Sequence, residues 1–503
     1  MSTRPSWLFA AACVVASYLL ITGSHFTLGE LAVDDAATFF VAVHPVGDLL
    51  TLPVASQGQP PLFFLALHEW LHAGDTEPVL RLLPLAFMLC AAATLLCTSW
   101  LTPATRVVSL AVLLLSGFSL YLTPTLRPYS LSVWFSLWSC LSLGWLLRDP
   151  RRGAAACLWY IVPTLALAYS LTLAVWTLIA QGLFVVGVVV LETVRRGTLR
   201  AVERYGAVLL SLAIVALLYV PHGIGFLRFQ SALGRPSLWL SLVAAFNPRH
   251  FVSGPIYLLT MPGGLGVLAA ALAAVGVLIG TRDRDPLVGL LLTVIAVQIA
   301  ATHGSLAGRY SFSFRYLTPA YPALCLLAGL GAGWCLAMLR RADLMVGAGA
   351  VVVLALAAVA FARAPHVAPE SSWRRLAVEF RAISGQKFVF FETGWEAQPL
   401  RYETRRDPDV HMRNQDGPGW KTFGQVITPD YVTQTIDREA VPGTRWFYHV
   451  DVARGSRIFD ETFVPAMARH RCARVSERAV ESYETEDFVG NLARLYGYAC
   501  AGT

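Results

Sequence analysis

Charge is what this sequence has least of. Only 14% of its 503 residues are Asp, Glu, Lys or Arg, while 56% are hydrophobic. An ordinary soluble domain carries roughly 25% charged residues. The shortage is uneven. Residues 1–362 hold repeated apolar runs whose interiors lack Asp, Glu and Lys, whereas residues 363–503 carry Arg, Asp, Glu and Tyr at soluble density. So much uninterrupted apolar sequence excludes a wholly water-soluble chain. The missing acids and lysines also count against a lipid or solute transporter, which keeps charged or broken-helix elements near the bilayer midplane. Internal repeats and low-complexity tracts are absent too, so the chain is no solenoid and no disordered array.

A helix needs about 20 apolar residues to cross ~30 Å of hydrocarbon. About eleven runs have that character, near 7–23, 79–100, 107–122, 129–147, 154–170, 172–191, 205–221, 258–280, 286–302, 316–338 and 344–362. The net charge of +7 on a soluble protein would suggest nucleic acid, but here the cations sit in short connections between runs. Arg4, Arg106, Arg148, Arg151, Arg152, Arg195, Arg196, Arg200, Arg204, Arg282, Arg284, Arg340 and Arg341 fall in alternate loops. The positive-inside rule then places those loops and the N-terminus in the cytoplasm. An odd number of spans puts the C-terminal part outside. No A-x-A-like site follows the first run cleanly, so it is expected to be an uncleaved anchor. The expected partners are therefore a lipid bilayer and no nucleic acid.

The sequence predicts two domains, a transmembrane domain over 1–362 and an extracytoplasmic α/β domain over 363–503. In the second, a helix is expected over 373–384 with Ser372 as its cap, and strands at Lys387–Glu392, Arg445–Val450 and Tyr496–Cys500. Helical stretches are expected near 428–438 and 461–470. Seven of the nine cysteines lie in apolar runs and read as packing residues. Cys472 and Cys500 are the two outside them, in a compartment that permits a disulfide.

The longest connection in the first half, 24–78, is too polar to span. Residues 34–43 read as a short helix capped by Asp34 and Asp35, and 60–73 as an amphipathic helix opened by Pro60-Pro61. Both are expected to lie in the interface. Two motifs compete there. His68-Glu69-Trp70-Leu71-His72 fits H-E-x-x-H, which sets two imidazoles on one helical face as zinc ligands beside a glutamate base. A membrane zinc metalloprotease is one alternative reading. It needs a third ligand, and Ala73-Gly74-Asp75 does not extend the motif. The only Asp-Gly pair, Asp416-Gly417, lies in the polar domain. The preferred expectation is no metal and no cofactor. The other motif, Asp34-Asp35, is in isolation a helix start. Beside an interfacial helix and opposite several arginines, it suits a base acting on a lipid-phosphate substrate.

Several segments carry a resemblance. Leu31 to Asp35, Gln59-Pro60-Pro61-Leu62 through His68, Gly74-Asp75 and Leu80-Arg81-Leu82-Leu83-Pro84 resemble the N-terminal half of GT-C fold membrane glycosyltransferases, among them protein O-mannosyltransferases and lipid A aminoarabinose transferases. Arg127-Pro128-Tyr129-Ser130-Leu131 is similar to that group's Arg-Pro-Tyr-x-Leu, and Arg315-Tyr316-Leu317-Thr318-Pro319 to its Arg-Tyr-x-x-Pro. The resemblance covers about 1–340. The chain departs from it at Asp35, where Glu is common, and at Gln59, where the aminoarabinose enzymes carry Lys. This departure counts against assigning their sugar.

The resemblance implies an enzyme of the bacterial inner (plasma) membrane. It implies a sugar donor on a polyprenyl phosphate and a lipid, glycan or protein acceptor. A hexosyl or pentosyl group would move to the acceptor hydroxyl at the outer face with inversion. Asp34 and Asp35 would be the catalytic acids, with Asp34 as the base. Arg81, Arg127 and Arg315 would hold the departing phosphate, for which the planar guanidinium fork is suited. Tyr129, Tyr310 and Tyr316 could line a sugar or lipid pocket, but such residues are more often interface anchors and are not counted among the site residues.

Overall fold

A computed structural model describes residues 5–26, 31–149, 153–232, 255, 258–259, 265–306, 314–339, 342–363, 372–391, 398–413, 428–439, 445–452, 459–482 and 491–500. The chain forms two compact units. The first joins Met1–Phe26 to Gly58–Pro365, and the second joins Thr27–Gln57 to His366–Thr503.

The helices begin with α1 (Pro5–Phe26), α2 (Val33–Ala42), α3 (Val46–Leu49), α4 (Leu52–Gln57), α5 (Leu62–Trp70), α6 (Glu77–Cys97), α7 (Pro103–Leu115) and α8 (Gly117–Leu122). Then come α9 (Tyr129–Arg148), α10 (Ala154–Ala168), α11 (Val175–Arg196), α12 (Thr198–Ala232), α13 (Leu265–Arg282), α14 (Pro286–Leu306), α15 (Tyr321–Ala337) and α16 (Ala342–Arg363). The last four are α17 (Ser372–Ala382), α18 (Gln398–Glu403), α19 (Pro429–Glu439) and α20 (Val464–Arg469).

The first unit is a helical bundle, and the protein is a multi-pass membrane protein. Each of the eleven apolar runs overlaps a helix among the described residues. Among the described residues, seven helices are long and apolar enough to cross a membrane, and four apolar stretches are shorter: Pro103–Leu115, Ala154–Ala168, Pro286–Ala301 and Gly349–Val359. The run expected over 107–122 is not one helix. Ser116, at φ −68 and ψ 149, leaves the helical region, and its hydroxyl accepts the Ser119 N–H at 3.1 Å. Serine competes for backbone donors in this way and favours a cap over a helix interior.

The centre of the bundle is α9, buried on most of its surface. Its Ser139 shares a hydrogen bond with Thr164 of α10 at 2.8 Å and accepts from Gln181 Nε2 of α11 at 2.8 Å. Tyr160 donates to Gln181 Oε1 at 2.9 Å. Trp134 Nε1 donates to Thr94 of α6 at 3.0 Å. Elsewhere, α13 and α15 meet backbone to backbone. A Cβ on Gly276 would run into the Leu327 carbonyl, and one on Gly331 into that of Leu272. Close approach of this kind is what small residues contribute between membrane helices.

The second unit is α/β. Its strands are β1 (Gln386–Phe391), β2 (Val410–Arg413), β3 (Arg445–Val452), β4 (Cys472–Ser482) and β5 (Asn491–Cys500), in the order β2-β1-β3-β5-β4. β1 pairs in parallel with β2 and β3, while β5 pairs antiparallel with β3 and β4. Alternate residues of β1 face opposite sides, as the period of two requires. Val389 and Phe391 join Trp373, Leu376 and Phe380 of α17. Phe388 and Phe390 join Val432 and Ile436 of α19 and Met467 of α20.

The segment expected to belong with the transmembrane domain over 34–43 packs instead in this second unit. Phe39 of α2 meets Tyr402 of α18 edge to face at 5.1 Å, and the Arg401 guanidinium carbon lies 4.0 Å from the Phe40 ring centre. The two aromatic residues of α2 are buried against α18 and so fix its allegiance. The helix expected over 60–73 stays with the bundle as α5 and a following 3-10 turn, Leu71–Ala73. The structure also adds α3, α4, β2 and β4, which the sequence reading did not include.

Cys472 and Cys500 stand opposite each other in the β4–β5 register and are joined as a disulfide, with Cα atoms 4.0 Å apart. The bond closes a loop of 28 residues. In the chain-entropy account such a loop contributes on the order of 3 kcal/mol. Non-reducing peptide mapping of protein from an oxidising compartment should recover the linked pair, and reduction should lower the denaturation midpoint of this unit. Two free thiols would contradict the pairing.

Candidate active site

Three arginines were expected to hold an anion, and all three belong to the bundle. Arg81 lies in the second turn of α6. That helix begins where Thr76 is extended and Pro78 occupies the first turn, a position where the missing N–H costs nothing. Arg127 ends the turn before α9. Its N–H bonds to the Thr125 carbonyl at 2.9 Å, and Pro128 then caps the helix. Arg81 is 4% exposed and Arg127 8%. Arg315 lies in a 3-10 segment, Phe314–Ala320, with its guanidinium carbon 5.4 Å from the Tyr316 ring centre.

Packing brings these elements together. The Phe87 and Trp134 rings stack at 6.2 Å, a difference of 47 in residue number. At the other end the Arg148 guanidinium lies 4.4 Å over Trp100, a difference of 48. Contacts that advance along both helices mean that α6 and α9 run side by side in the same direction. Arg81 and Arg127 lie toward the amino-terminal ends of these two neighbouring helices. The 3-10 segment is tied to the same helix, because Ser136 Oγ donates to the Pro319 carbonyl at 2.6 Å. Gln298 of α14 holds it from the other side, with Nε2 donating to the Tyr316 carbonyl at 3.2 Å. Ser136 and Gln298 escaped the sequence reading. Their only signal is a polar residue inside an apolar run.

Asp34 and Asp35 belong to the second unit. Ala32 is the N-cap of α2 and makes no side-chain cap, so the acidic pair does not cap the helix as expected. It occupies the first turn instead, at the second and third helical positions, where negative charge is favoured by the macrodipole. Asp35 is 5% exposed, and Asp34 is more open. The Thr38 hydroxyl donates to the Asp34 carbonyl at 2.8 Å and fixes the turn. Gly58, at φ 64, begins the return to the bundle. Its carbonyl accepts from the Thr172 hydroxyl, and Leu62 N–H donates to the Tyr169 carbonyl at 3.1 Å. Tyr129 is buried at the start of α9, and Tyr310 lies outside the described residues.

The H-E-x-x-H motif is split by the structure. His68 lies on α5, but α5 ends at Trp70, and His72 falls in the 3-10 turn. The two rings are 6.2 Å apart at near right angles, and His72 lies 4.0 Å from exposed Glu69. Among the described residues, no three His, Cys, Asp or Glu side chains converge.

The overall arrangement is the GT-C fold. Two solved structures align with essentially the whole chain. ArnT from Cupriavidus metallidurans bound to undecaprenyl phosphate gives a TM-score of 0.64 at 13% identity, covering 100% of both chains. The same protein in the apo state gives 0.60 at 13% identity, covering 99% of this chain and 98% of that one. No protein-family model matches the chain. No curated protein matches it in sequence.

The broken helix under His68 and His72 has a direct consequence. Elemental analysis of the purified protein should find well under one zinc per chain, with no change in His72→Ala. One tightly held zinc, lost in that variant, would restore the metalloprotease reading.

Proposed function

We propose that this protein is a glycosyltransferase that takes a sugar from a polyprenyl-phosphate donor and delivers it to an acceptor hydroxyl at the outer membrane face. The carrying observation is the burial of Arg81 and Arg127 toward the amino-terminal ends of two neighbouring helices, α6 and α9. The likeness of the bundle to a fold that binds undecaprenyl phosphate in ArnT supports the same reading. Eleven spans, an inner-membrane location, a cytoplasmic N-terminus and an outer second unit complete it.

In this scheme the acceptor oxygen attacks the anomeric carbon while the bond from that carbon to the phosphate oxygen breaks. The sugar inverts in a single displacement. Negative charge grows on the leaving phosphate, and preorganised guanidiniums stabilise it most where water is excluded. Arg81, Arg127 and Arg315 fill that role. Asp34 takes the acceptor proton. Its greater exposure than Asp35 supports this choice. Adjacent helical residues point about 100° apart, so the two carboxylates do not share one proton. Asp35 then acts through the dipole of α2 and the local charge.

Incubation with a panel of polyprenyl-phosphate sugars tests the reaction, and it fails if no donor is turned over. Asp34→Asn keeps size and shape but removes the base. Turnover should fall about 10²–10⁴-fold with donor binding retained, and Asp35→Asn should cost less. Near-wild-type turnover in both variants would discard the base.

Arg127→Ala and Arg315→Ala should each weaken donor affinity, and Lys should restore only part because it lacks the planar fork. Equilibrium binding of a labelled donor reads this directly. Unchanged affinity in both would remove them from the site.

A further inference from the structure

Two arginine-bearing segments of the bundle are bridged by a side chain that the reaction above does not use. Tyr321 opens α15, directly after the 3-10 segment Phe314–Ala320 that carries Arg315. Its ring is fully buried and meets Phe118 of α8 edge to face at 5.2 Å. Its hydroxyl lies 2.8 Å from the Val112 carbonyl, 2.8 Å from the Leu113 carbonyl and 2.6 Å from Ser116 Oγ. All three belong to the place where α7 stops and α8 begins.

One assignment of the protons satisfies these contacts. A hydroxyl carries one proton and two acceptor lone pairs. The two carbonyls accept only, so the Tyr321 proton is shared between them, and the Ser116 hydroxyl donates to Tyr321 Oη. Ser116 Oγ in turn accepts the Ser119 N–H at 3.1 Å. Carbonyls in the last turn of a helix lose their intrahelical partner, and inside hydrocarbon no water replaces it. Here a tyrosine from another helix supplies the donor, so the break between α7 and α8 and the start of α15 hold each other.

From that break the chain runs on to the second arginine. After α8 the Thr125 N–H donates to the Leu122 carbonyl at 3.2 Å, and the Arg127 N–H to the Thr125 carbonyl at 2.9 Å. On the other side, Arg315 stands six residues before Tyr321, in the segment that Gln298 pins at the Tyr316 carbonyl and Ser136 at the Pro319 carbonyl.

We propose that Tyr321 is a positioning residue of the donor site. Its hydroxyl ties the segment of Arg315 to the helix break that leads to Arg127, and so sets the two guanidiniums relative to each other before the donor arrives. The role in donor binding rests on the glycosyltransferase reading, whereas the tie itself does not.

The test uses the full chain in nanodiscs. Tyr321→Phe keeps the ring and removes the hydroxyl. Without donor, hydrogen exchange should rise at least about fivefold over residues 116–125, the segment that was not substituted. Ser116→Ala should do the same over residues 314–320. Loosening confined to the substituted segment in either variant would overturn the tie. Equilibrium binding of a labelled polyprenyl-phosphate sugar reads the role. Affinity should fall at least about fivefold in Tyr321→Phe. The loss should be less than additive with that of Arg315→Ala, because the tyrosine acts through the arginine. Tyr160→Phe removes another buried hydroxyl, the one that meets Gln181. It should lower the melting temperature and leave donor affinity within about twofold. Full additivity, unchanged affinity in Tyr321→Phe, or equal losses in Tyr321→Phe and Tyr160→Phe would overturn the positioning role. If no donor binds the wild type while both exchange changes appear, the transferase reading falls and the tie stands.

Discussion

Hydrocarbon offers a polar group no water to bond, so every such group inside the membrane must be satisfied by protein. The helix α9 meets this constraint most heavily. Of the candidate spans it has the lowest mean hydropathy, 1.4, and the largest buried share, 78%. The stretch Thr172–Arg196 shows the opposite, with mean hydropathy 2.3 and 28% buried. A helix walled by other helices tolerates serines, and α9 places Ser130, Ser132, Ser136, Ser139 and Ser142 among buried residues. Two of them reach the neighbours that matter. Ser139 joins the Thr164–Gln181–Tyr160 network and fixes α9 against α10 and α11. Ser136 fixes the 3-10 segment that carries Arg315. The segment that carries Arg315 is thus tied to α9 through one of its hydroxyls.

Electrostatics gives the arginine end its meaning. A guanidinium removed from water loses solvation worth several kcal/mol unless partners replace it. Arg81 and Arg127 are both less than a tenth exposed. Under the proposed reaction, buried guanidiniums held in place by the bundle are the preorganisation that a departing phosphate would reward.

Most of the helical frame is legible because apolar run length is a one-dimensional signal. Arg127 was legible too, since Pro124 and Pro128 bracket its turn. What escaped depended on three-dimensional partners. The break at Ser116 hides inside an apolar run and is marked by one hydroxyl. The strand β4, Cys-Ala-Arg-Val-Ser-Glu-Arg-Ala-Val-Glu-Ser, is charged because it lies at the sheet edge, where charge discourages further pairing. It therefore looks like loop. The allegiance of α2 follows from Phe39 and Phe40 meeting Tyr402 and Arg401, residues more than 350 positions away that no local pattern announces.

Under the proposed reaction the two chemical duties are divided between the units. The groups that meet the leaving phosphate are set by helix packing in the bundle, and the group that takes the proton is set by a helix packed on α18. The chain links them at both ends of residues 27–57. At one end α1 runs to Phe26, with Tyr18 hydrogen bonded to Thr123 at 2.5 Å. At the other, Thr172 grips Gly58. Within its own unit, the helix that carries the acidic pair packs on α18 through Phe39 and Phe40. Under the proposed reaction a change at Tyr402 would move the base without altering a charge, and its effect on turnover would exceed its effect on donor affinity. Such a split separates positioning from chemistry, and it follows from the topology of one 31-residue excursion.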